Sequence, residues 1–368
     1  MRILVVSKFY PPVIGGVEIT VKELCEQYVK QGHDATAVVM TKGDLLEERI
    51  NGVRVLRFPL DGLFRGSLNR GVASFMRREL DESHYDIVHI HNFHILLSFQ
   101  SALMCSLRSM PYVFSPHYHG KGHTPVRDMF FQLYKRVGVI GLRGAEAITF
   151  ASEFERRKLL KDFPELERTA IVISPGIAPR KVVERAKEPD SLLYVGRLMG
   201  YKGLDHTLQA MKVMQERNRR VRLRVVGTGP AEKELRDLVS ELDMKDQVSF
   251  LGELGEDALA DEYARASCLV LLSSAEAYGL VVAEALASGT PCIVANSAAL
   301  TEFTSEPGCV GVSWPPKPEE VAEAIEQVLD EGARLKVGPF SKKISFWPEV
   351  ASRYIELYER VLVRDRSS

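Results

Sequence analysis

The chain has 368 residues, of which 45% are apolar and 26% charged, and its formal net charge is −1. This length exceeds what one hydrophobic core usually supports, so we expect two domains. The near-zero charge argues against a dedicated nucleic-acid binder, and because no run approaches 18 apolar residues we expect no membrane-spanning helix.

The five cysteines are odd in number, scattered, and contain no CxxC pair. Most fall in apolar runs, so we interpret them as small core residues in a reducing compartment. The N-terminal apolar run ILVV is too short for a signal peptide. These features predict a cytoplasmic protein.

The first half of the chain alternates apolar runs with helical stretches. Ile3–Val6 predicts a buried strand, and Gly15 and Gly16 lie where that strand leads into the first helix. Glycine at such a position lets backbone N–H groups approach a phosphate, although a plain turn is the alternative. The further strands predicted in this half are residues 35–40, 50–58, 86–90, 112–115, 147–151 and 171–174, with a helix over 63–80.

Eight of the nine histidines precede residue 124, in two groups that follow predicted strands. His89, His91 and His94 have a spacing that would suit a metal site, but no carboxylate or cysteine accompanies them, so we favour a non-metal interpretation. The second group, His117, His119 and His123, lies in a loop at a strand end, which is a good place for function. A solvated polar loop is the alternative.

Residues 125–144 combine apolar and basic side chains, and the charge of the chain is uneven. Residues 1–172 contain 23 Lys and Arg against 19 Asp and Glu, and the remainder 25 against 30. A basic amphipathic helix can lie on a membrane surface. We favour the commoner arrangement, an apolar stripe facing the core and a solvated outer face.

The second half begins with the predicted strand 191–195 and the sequence GRLMGYKG. Arg197 follows the strand directly and Lys202 precedes a helix. Two cations beside a helix N-terminus can bind a pyrophosphate, and a surface cation pair is the alternative. Two further strand ends follow, at Gly227 and at Glu253–Leu254.

Residues 273–289, SSAEAYGLVVAEALASG, follow an apolar strand, CLVLL. Glu276 lies in the loop before a helix that Gly279 opens, and Glu284 lies inside the helix. A carboxylate in so apolar a run is costly to bury unless it is bound. Because carboxylates would repel an anion, we expect them to bind hydroxyls, and a nucleotide sugar supplies hydroxyls on both sides of its phosphates. Two solvated carboxylates are the alternative.

The Glu-x7-Glu spacing followed by Ala-x-Ala-x-Gly-x-Pro, together with G-R-L-x(3)-K-G, resembles glycosyltransferase family 4, the retaining GT-B enzymes of glycosyl transferases group 1. The resemblance covers nearly the whole chain. It implies an α/β fold of two Rossmann-like, doubly wound parallel-sheet domains facing a cleft. The implied boundaries are an acceptor-binding domain at 1–174 completed by helix 346–368, a linker at 175–189, and a nucleotide-sugar-binding domain at 190–345.

The resemblance also implies roles for individual residues. Arg197 and Lys202 would neutralise the leaving diphosphate, Glu276 would reach the transferred sugar, and Glu284 would hold the ribose. The other donor-binding positions implied are Gly15, Gly16, Gly227, Glu253, Leu254, Gly279, Leu280 and Val281. His117 would contact the transferred sugar, with His119 as the second choice, and His91 would point towards the acceptor. The linker begins with Pro175-Gly176-Ile177-Ala178, whereas family members often have Asn-Gly-Ile/Val-Asp at this place. This chain therefore lacks the Asp that would make a linker contact in the family.

The predicted reaction is retaining transfer of a sugar from a UDP- or GDP-sugar to a hydroxyl of a glycan or lipid-linked acceptor. No Asp-x-Asp occurs in the chain, which favours stabilisation of the leaving group by fixed cations rather than a metal. We therefore expect no cofactor. Contact with the inner membrane face through the first domain is a further expectation. The alternatives are a glycan phosphorylase, a nucleotide-sugar epimerase, or a non-catalytic nucleotide-sugar-binding protein.

Overall fold

The computed structural model describes residues 1–13, 15–60, 70–82, 84–118, 120, 125–178, 187–332, 337–338 and 344–365. The chain folds into two compact units. Unit 1 comprises Met1–Gly176 and Ser345–Ser368, and unit 2 comprises Ile177–Ile344. Each is an α/β unit around a parallel sheet, which confirms the predicted fold class.

The sheet of unit 1 has eight strands in the order β3-β4-β2-β1-β5-β6-β7-β8. Its strands are β1 (Arg2–Val6), β2 (Asp34–Thr41), β3 (Leu46–Ile50), β4 (Val53–Pro59), β5 (Ile87–His91), β6 (Tyr112–Ser115), β7 (Ala147–Phe150) and β8 (Ala170–Val172). All neighbours are parallel except β3, which pairs antiparallel with β4. The chain moves outward from β1 in one direction and then from β5 in the other, so the strand order reverses between β1 and β5.

The predicted strand 50–58 differs from the structure at its start. Asn51 and Gly52 both have positive φ, at 48° and 86°, and form the turn of the β3–β4 hairpin. An Asn-Gly pair between two strands is the usual signal for such a turn. The strand therefore begins at Val53, and β3 precedes it.

Helices cover both faces of this sheet. The helices of unit 1 are α1 (Gly16–Lys30), α2 (Arg70–Asp81), α3 (Leu96–Ser106), α4 (Pro125–Arg143), α5 (Glu153–Asp162) and α11 (Trp347–Asp365). The C-terminal helix α11 belongs to this unit and packs on α1, where the hydroxyls of Tyr28 and Tyr358 are 2.9 Å apart. Part of the predicted helix 63–80 lies outside the described residues.

Helix α4 differs from its prediction in where its apolar side chains point. Phe131 and Tyr134 pack on the core of unit 1, but Phe130 and Leu133 are each 62% exposed. The expected core-facing stripe is therefore present and the outer face is exposed to solvent, but that outer face also carries large apolar side chains. Among the described residues, none of the helices is long and apolar enough to cross a membrane.

Unit 2 has a six-stranded parallel sheet in the order β12-β11-β10-β13-β14-β15. Its strands are β10 (Ser191–Val195), β11 (Arg222–Val226), β12 (Val248–Gly252), β13 (Cys268–Leu271), β14 (Cys292–Ala295) and β15 (Cys309–Val312), and its helices are α6 (Leu204–Glu216), α7 (Glu232–Glu241), α8 (Glu256–Arg265), α9 (Leu280–Ala287) and α10 (Pro318–Glu331). The strand order reverses between β10 and β13. The other elements among the described residues, in either unit, are the short strands β9 (Gly176–Ile177) and β16 (Ser345–Phe346) and 3-10 turns at Pro164–Thr169, Gly200–Lys202 and Ala298–Glu302.

The five cysteines are all buried and free, as predicted for small core residues. Cys268 and Cys292 each open a central strand of unit 2. Burial raises the pKa of Cys268 above its usual value, because the thiolate would lose its hydration. These thiols therefore act as packing groups.

Candidate functional site

The candidate donor site lies where the strand order of unit 2 reverses. Strands β10 and β13 are adjacent and parallel, with Leu193 beside Leu269. The loop after β10 carries Arg197 and Lys202, and the loop after β13 carries Glu276. In open α/β sheets, ligands bind outside the carboxyl ends of the strands at this reversal. The topology therefore places side by side two loops that are more than 70 residues apart in the sequence.

Lys202 and Glu276 form an ion pair across this position. The Nζ of Lys202 donates to Oε1 of Glu276 over 2.6 Å, and the two side chains are 16% and 14% exposed. The pair is thus partly desolvated but still open to solvent. A ligand that brings a phosphate to Lys202 and a hydroxyl to Glu276 could replace this mutual contact with one contact for each.

Gly203 sets the close approach of the two loops. Its φ is +72°, and a Cβ there would lie 2.0 Å from the carbonyl oxygen of Leu272. Any other residue would push the loops apart. The backbone N–H of Ser274 also donates to the carbonyl of Tyr201 over 2.9 Å. The positions of Lys202 and Glu276 are therefore fixed by backbone contacts as well as by their own ion pair.

Arg197 is exposed at the end of β10. Its carbonyl accepts a hydrogen bond from the hydroxyl of Tyr194 over 3.1 Å. Within the described part of the chain its guanidinium forms no ion pair, whereas Lys202 does. Of the two predicted phosphate-binding cations, Arg197 is the one already accessible to an anion.

Helix α9 begins after Gly279, which has a φ of +116°. A Cβ at Gly279 would lie 3.0 Å from Cδ2 of Leu300, so both conformation and space favour glycine here. The first helical residues, Leu280 and Val281, follow it. Their backbone amides lie in the first turn, where N–H groups have no intrahelical partner and can bind an anion.

Glu284 is half-buried in α9 and is oriented by a residue that the sequence analysis missed. The hydroxyl of Tyr263, a fully buried residue of α8, donates to Oε2 of Glu284 over 2.8 Å. This contact gives the costly carboxylate a hydrogen-bond partner. No sequence motif marks Tyr263, because its contact with Glu284 depends on α8 packing beside α9 and not on a local spacing of residues.

The loops after β10 and β11 meet at Gly227. Its φ is +119°, and a Cβ would lie 2.2 Å from the carbonyl oxygen of Gly196. Its N–H donates to Gly252 over 2.7 Å, which links it to the next strand end. There Glu253 is exposed and accepts from the Thr228 hydroxyl over 3.0 Å, with Leu254 beside it. The positions predicted to bind donor in unit 2 thus follow four strand ends on one edge of its sheet.

In unit 1 the predicted residues His91 and His117 contact each other. Nδ1 of His91 and Nε2 of His117 are 3.0 Å apart. His91 is 1% exposed, and its Nε2 has no hydrogen-bond partner among the described residues. The two rings line a small cavity together with Ser115, Thr149, Trp347 and Tyr354, among other residues. A residue that lines the cavity therefore has a buried ring nitrogen without a hydrogen-bond partner among the described residues.

His89 connects this pair to the C-terminal helix. Its Nε2 lies 2.8 Å from the hydroxyl of Ser115 and its Nδ1 lies 2.7 Å from that of Tyr358. Burial lowers the pKa of His89 to about 3 and the pKa of His91 well below its usual value. Both rings are therefore neutral near pH 7. Within the described residues, no group of three or more His, Cys, Asp or Glu side chains is arranged to hold a metal ion.

Glu155, which the sequence analysis also missed, holds the backbone beside His117. Its carboxylate accepts from the N–H of Tyr118 over 2.6 Å and from the N–H of Ala151 over 2.9 Å. His117 itself has a positive φ of 47°, a conformation that needs such support. The Ser152-x-x-Glu155 spacing, a capping-box pattern, was the available signal.

The remaining predicted positions of unit 1 are less informative. Gly15 precedes α1 with φ −174°, an extended conformation that any residue adopts, so the backbone gives no reason for glycine. Gly16 is the first residue of α1. His119 and His123 lie outside the described residues.

Two family models match the chain. Residues 14–181 match "Glycosyltransferase Family 4" and residues 178–343 match "Glycosyl transferases group 1". Together they span nearly the whole sequence. The chain therefore belongs to the family 4, group 1 glycosyltransferases.

Relatives and solved structures agree with this assignment. The chain is 28% identical to an uncharacterized glycosyltransferase of Methanocaldococcus jannaschii, over 98% of both chains, and 28% identical to D-inositol 3-phosphate glycosyltransferase of Kineococcus radiotolerans, over 96% of this chain and 92% of that one. Its fold is similar to sucrose-phosphate synthase from Thermosynechococcus elongatus (TM-score 0.75, 21% identity, 99% of both chains) and to Anabaena HepE solved with UDP-glucose (TM-score 0.72, 18% identity, 100% of both chains). The fold is thus that of GT-B glycosyltransferases.

Proposed function

We propose that this glycosyltransferase moves a sugar from a nucleoside-diphosphate donor to a hydroxyl acceptor, with retention at the anomeric carbon and without a metal ion. The observation that carries the proposal is the Lys202–Glu276 contact at the strand-order reversal of unit 2. A donor has an anionic diphosphate joined directly to a hydroxyl-bearing sugar. A cation and a carboxylate 2.6 Å apart match the two sides of that junction.

Charge stabilisation of the leaving diphosphate falls to Arg197, Lys202 and the first amides of α9. Negative charge grows on the diphosphate as the glycosidic bond breaks, and preorganised cations and N–H groups lower the energy of that state. Lys202 would leave Glu276 and contact a phosphate oxygen. Arg197, which is already accessible, would contact the second phosphate.

The freed carboxylate of Glu276 would then accept from sugar hydroxyls and stabilise positive charge at the ring. Glu284 would hold the ribose, with Tyr263 fixing its orientation. The backbone at Glu253–Leu254 would contact the base. In this assignment unit 2 binds the donor and unit 1 the acceptor, with His91 and His117 on the acceptor side. The Nε2 of His91 is a candidate hydrogen-bond partner for a polar group that enters the adjacent cavity.

The relatives suggest which substrates to test first. HepE was solved with UDP-glucose, so UDP-glucose is the first donor to test, followed by a GDP-sugar, the other donor class expected from the sequence. The D-inositol 3-phosphate glycosyltransferases suggest phosphorylated polyols among the acceptors, beside glycans and lipid-linked sugars.

The deciding experiment measures nucleoside diphosphate released from each donor, with and without acceptor, in the presence of excess EDTA. We expect release that depends on acceptor and persists in EDTA, and an α-linked product from an α-linked donor. Loss of activity in EDTA would overturn the metal-free mechanism. Turnover with free phosphate and no nucleotide would instead establish a phosphorylase, and donor binding without turnover would establish a binding protein.

A further inference from the structure

Helix α4 of unit 1 exposes an apolar face that the glycosyl-transfer chemistry does not use. Five large apolar side chains on it are between 47% and 63% exposed: Met129, Phe130, Leu133, Val137 and Ile140. Soluble surfaces carry single exposed apolar residues as a rule, whereas contiguous patches mark binding surfaces. On the adjacent helix α3, Leu103 is also exposed, and so is Leu107, which directly follows that helix.

The five side chains form one continuous strip along the helix. At 3.6 residues per turn they fall within an arc of about 100°. The opposite side of α4 is buried, with Val139 and Leu142 in the core of unit 1. The helix is therefore apolar on two sides. One side is buried in the core of unit 1, and the other is exposed. An apolar outer side on a surface helix is costly in water unless a partner covers it.

Positive charge is concentrated at the same helix. Residues 121–143 contain five Lys and Arg against one Asp, whereas the rest of residues 1–172 contains 18 of each sign. The whole excess of +4 in the first half therefore lies in this segment. Arg136 and Arg143 are exposed and fall beside the apolar strip, along one edge of it. Arg143 is paired with the exposed Glu165 over 2.6 Å and Lys135 with Asp162 over 2.8 Å, whereas Arg136 has no ion pair among the described residues.

We propose that the outer face of α4 docks on an anionic lipid bilayer. The apolar strip would enter the boundary between headgroups and acyl chains, as in helices that lie in the plane of a membrane. Arg136 would contact a lipid phosphate directly, and Arg143 would do so by exchanging the solvent-exposed Glu165 for a phosphate. A second copy of this chain fits less well, because a symmetric contact through the strip would place the same concentration of positive charge against itself.

The test is co-sedimentation of the full-length protein with sucrose-loaded vesicles, without nucleotide or acceptor. One set contains phosphatidylglycerol and phosphatidylcholine in a 1:1 ratio and the other phosphatidylcholine alone. We expect binding to the anionic vesicles and at least tenfold weaker binding to the neutral ones. Arg136→Gln should weaken binding to anionic vesicles by about fivefold and reduce its dependence on salt.

Phe130→Ser combined with Leu133→Ser should reduce binding to anionic vesicles at least tenfold, because it removes two insertable side chains. The matched control is Leu45→Ser with Leu46→Ser, since these residues of unit 1 are 62% and 48% exposed but lie outside the strip. The control should bind like the unmodified protein. Circular dichroism of both double variants checks that they are folded.

The proposal is overturned if the unmodified protein stays in the supernatant with anionic vesicles, or if the Phe130/Leu133 variant still binds them fully. It is also overturned if, without vesicles, that variant turns a dimer into a monomer in sedimentation velocity, which would make the strip an interface between copies. Since no donor is present, these outcomes are independent of the proposed sugar transfer.

Discussion

Both units place polar side chains at or after the carboxyl ends of parallel strands. The two sets differ in their exposure to solvent and in their charge. In unit 2, Lys202 and Glu276 are charged, partly exposed and paired with each other. In unit 1, His89 and His91 are neutral and fully buried. His89 is bonded to the hydroxyls of Ser115 and Tyr358, the latter on the C-terminal helix, and His91 is bonded to His117. A charged residue near solvent can exchange its ion-pair partner for a charged ligand at little cost in free energy. A desolvated neutral network cannot bind charge and instead fixes geometry.

The largest effect is expected where charge is removed from unit 2. Lys202→Ala should lower kcat by about 10²–10³, by analogy with the loss of one preorganised charge-stabilising group. The measurement is steady-state release of nucleoside diphosphate at saturating donor. Lys245→Ala, which removes an exposed lysine elsewhere in unit 2, is the matched control and should leave kcat unchanged. A loss below tenfold for Lys202→Ala would contradict the phosphate-binding role.

The next prediction tests the desolvated network of unit 1 through its pH dependence. Burial raises the pKa of Glu155 to about 7, so the folded chain takes up a proton there that the unfolded chain, with a carboxyl pKa near 4.5, does not. This group makes the protein more stable as pH falls from 7 towards 4.5. The lowered pKa of His89 acts oppositely, because below about pH 6.5 only the unfolded chain binds that proton.

Glu155→Gln removes the stabilisation at low pH that comes from Glu155 and leaves the opposite contribution of His89. Between pH 7 and pH 5.5 the variant should therefore lose about 1.5 kcal/mol more unfolding free energy than the unmodified protein, from 1.36 kcal/mol per pH unit and proton and a carboxyl that is half protonated at pH 7. The readout is urea unfolding in a Trp314→Phe background, which leaves Trp347, a buried residue of unit 1, as the only tryptophan. Glu153→Gln, an exposed neighbour on α5, is the control. Parallel pH curves for both variants would show that Glu155 is not protonated in the folded state.

The contrast between buried and exposed segments also explains which strands and helices could be predicted from the sequence. Strands such as Ser191–Val195 and Tyr112–Ser115 match their predictions residue for residue, because a buried parallel strand is a short, largely apolar run with sharp ends. Strand β3, with the sequence LEERI, was missed since an exposed edge strand forms by pairing rather than by burying its own side chains. The apolar content of α4 was visible, but sequence alone does not show which of two apolar sides meets the core.

Among the candidate site residues, motif spacing identified Arg197, Lys202, Glu276 and Glu284. Their roles remain predictions. The contact between Lys202 and Glu276 depends on β10 lying beside β13, which strand order decides and local pattern does not. Tyr263 and Glu155 were missed for a related reason, since each acts on a residue of another element.

A smaller effect is expected from Glu284, the carboxylate that we propose binds the ribose. Glu284→Ala should raise the KM for donor by about tenfold with little change in kcat, because a group that binds substrate and transition state equally affects binding alone. Initial rates over a range of donor concentrations separate the two constants. Glu284→Gln should recover part of the loss, since an amide oxygen still accepts one hydrogen bond. An unchanged KM in Glu284→Ala would remove this residue from the donor site.

The smallest effect is expected when the hydroxyl of Tyr263, which donates to Glu284, is removed. Tyr263→Phe keeps the buried ring and deletes the 2.8 Å hydrogen bond to Glu284, which at about 1 kcal/mol corresponds to a KM for donor raised roughly fivefold. If Tyr263 acts only by orienting Glu284, adding Tyr263→Phe to Glu284→Ala should raise KM no further. Additive effects in that double-mutant cycle would show that Tyr263 stabilises unit 2 or contacts the donor by another route.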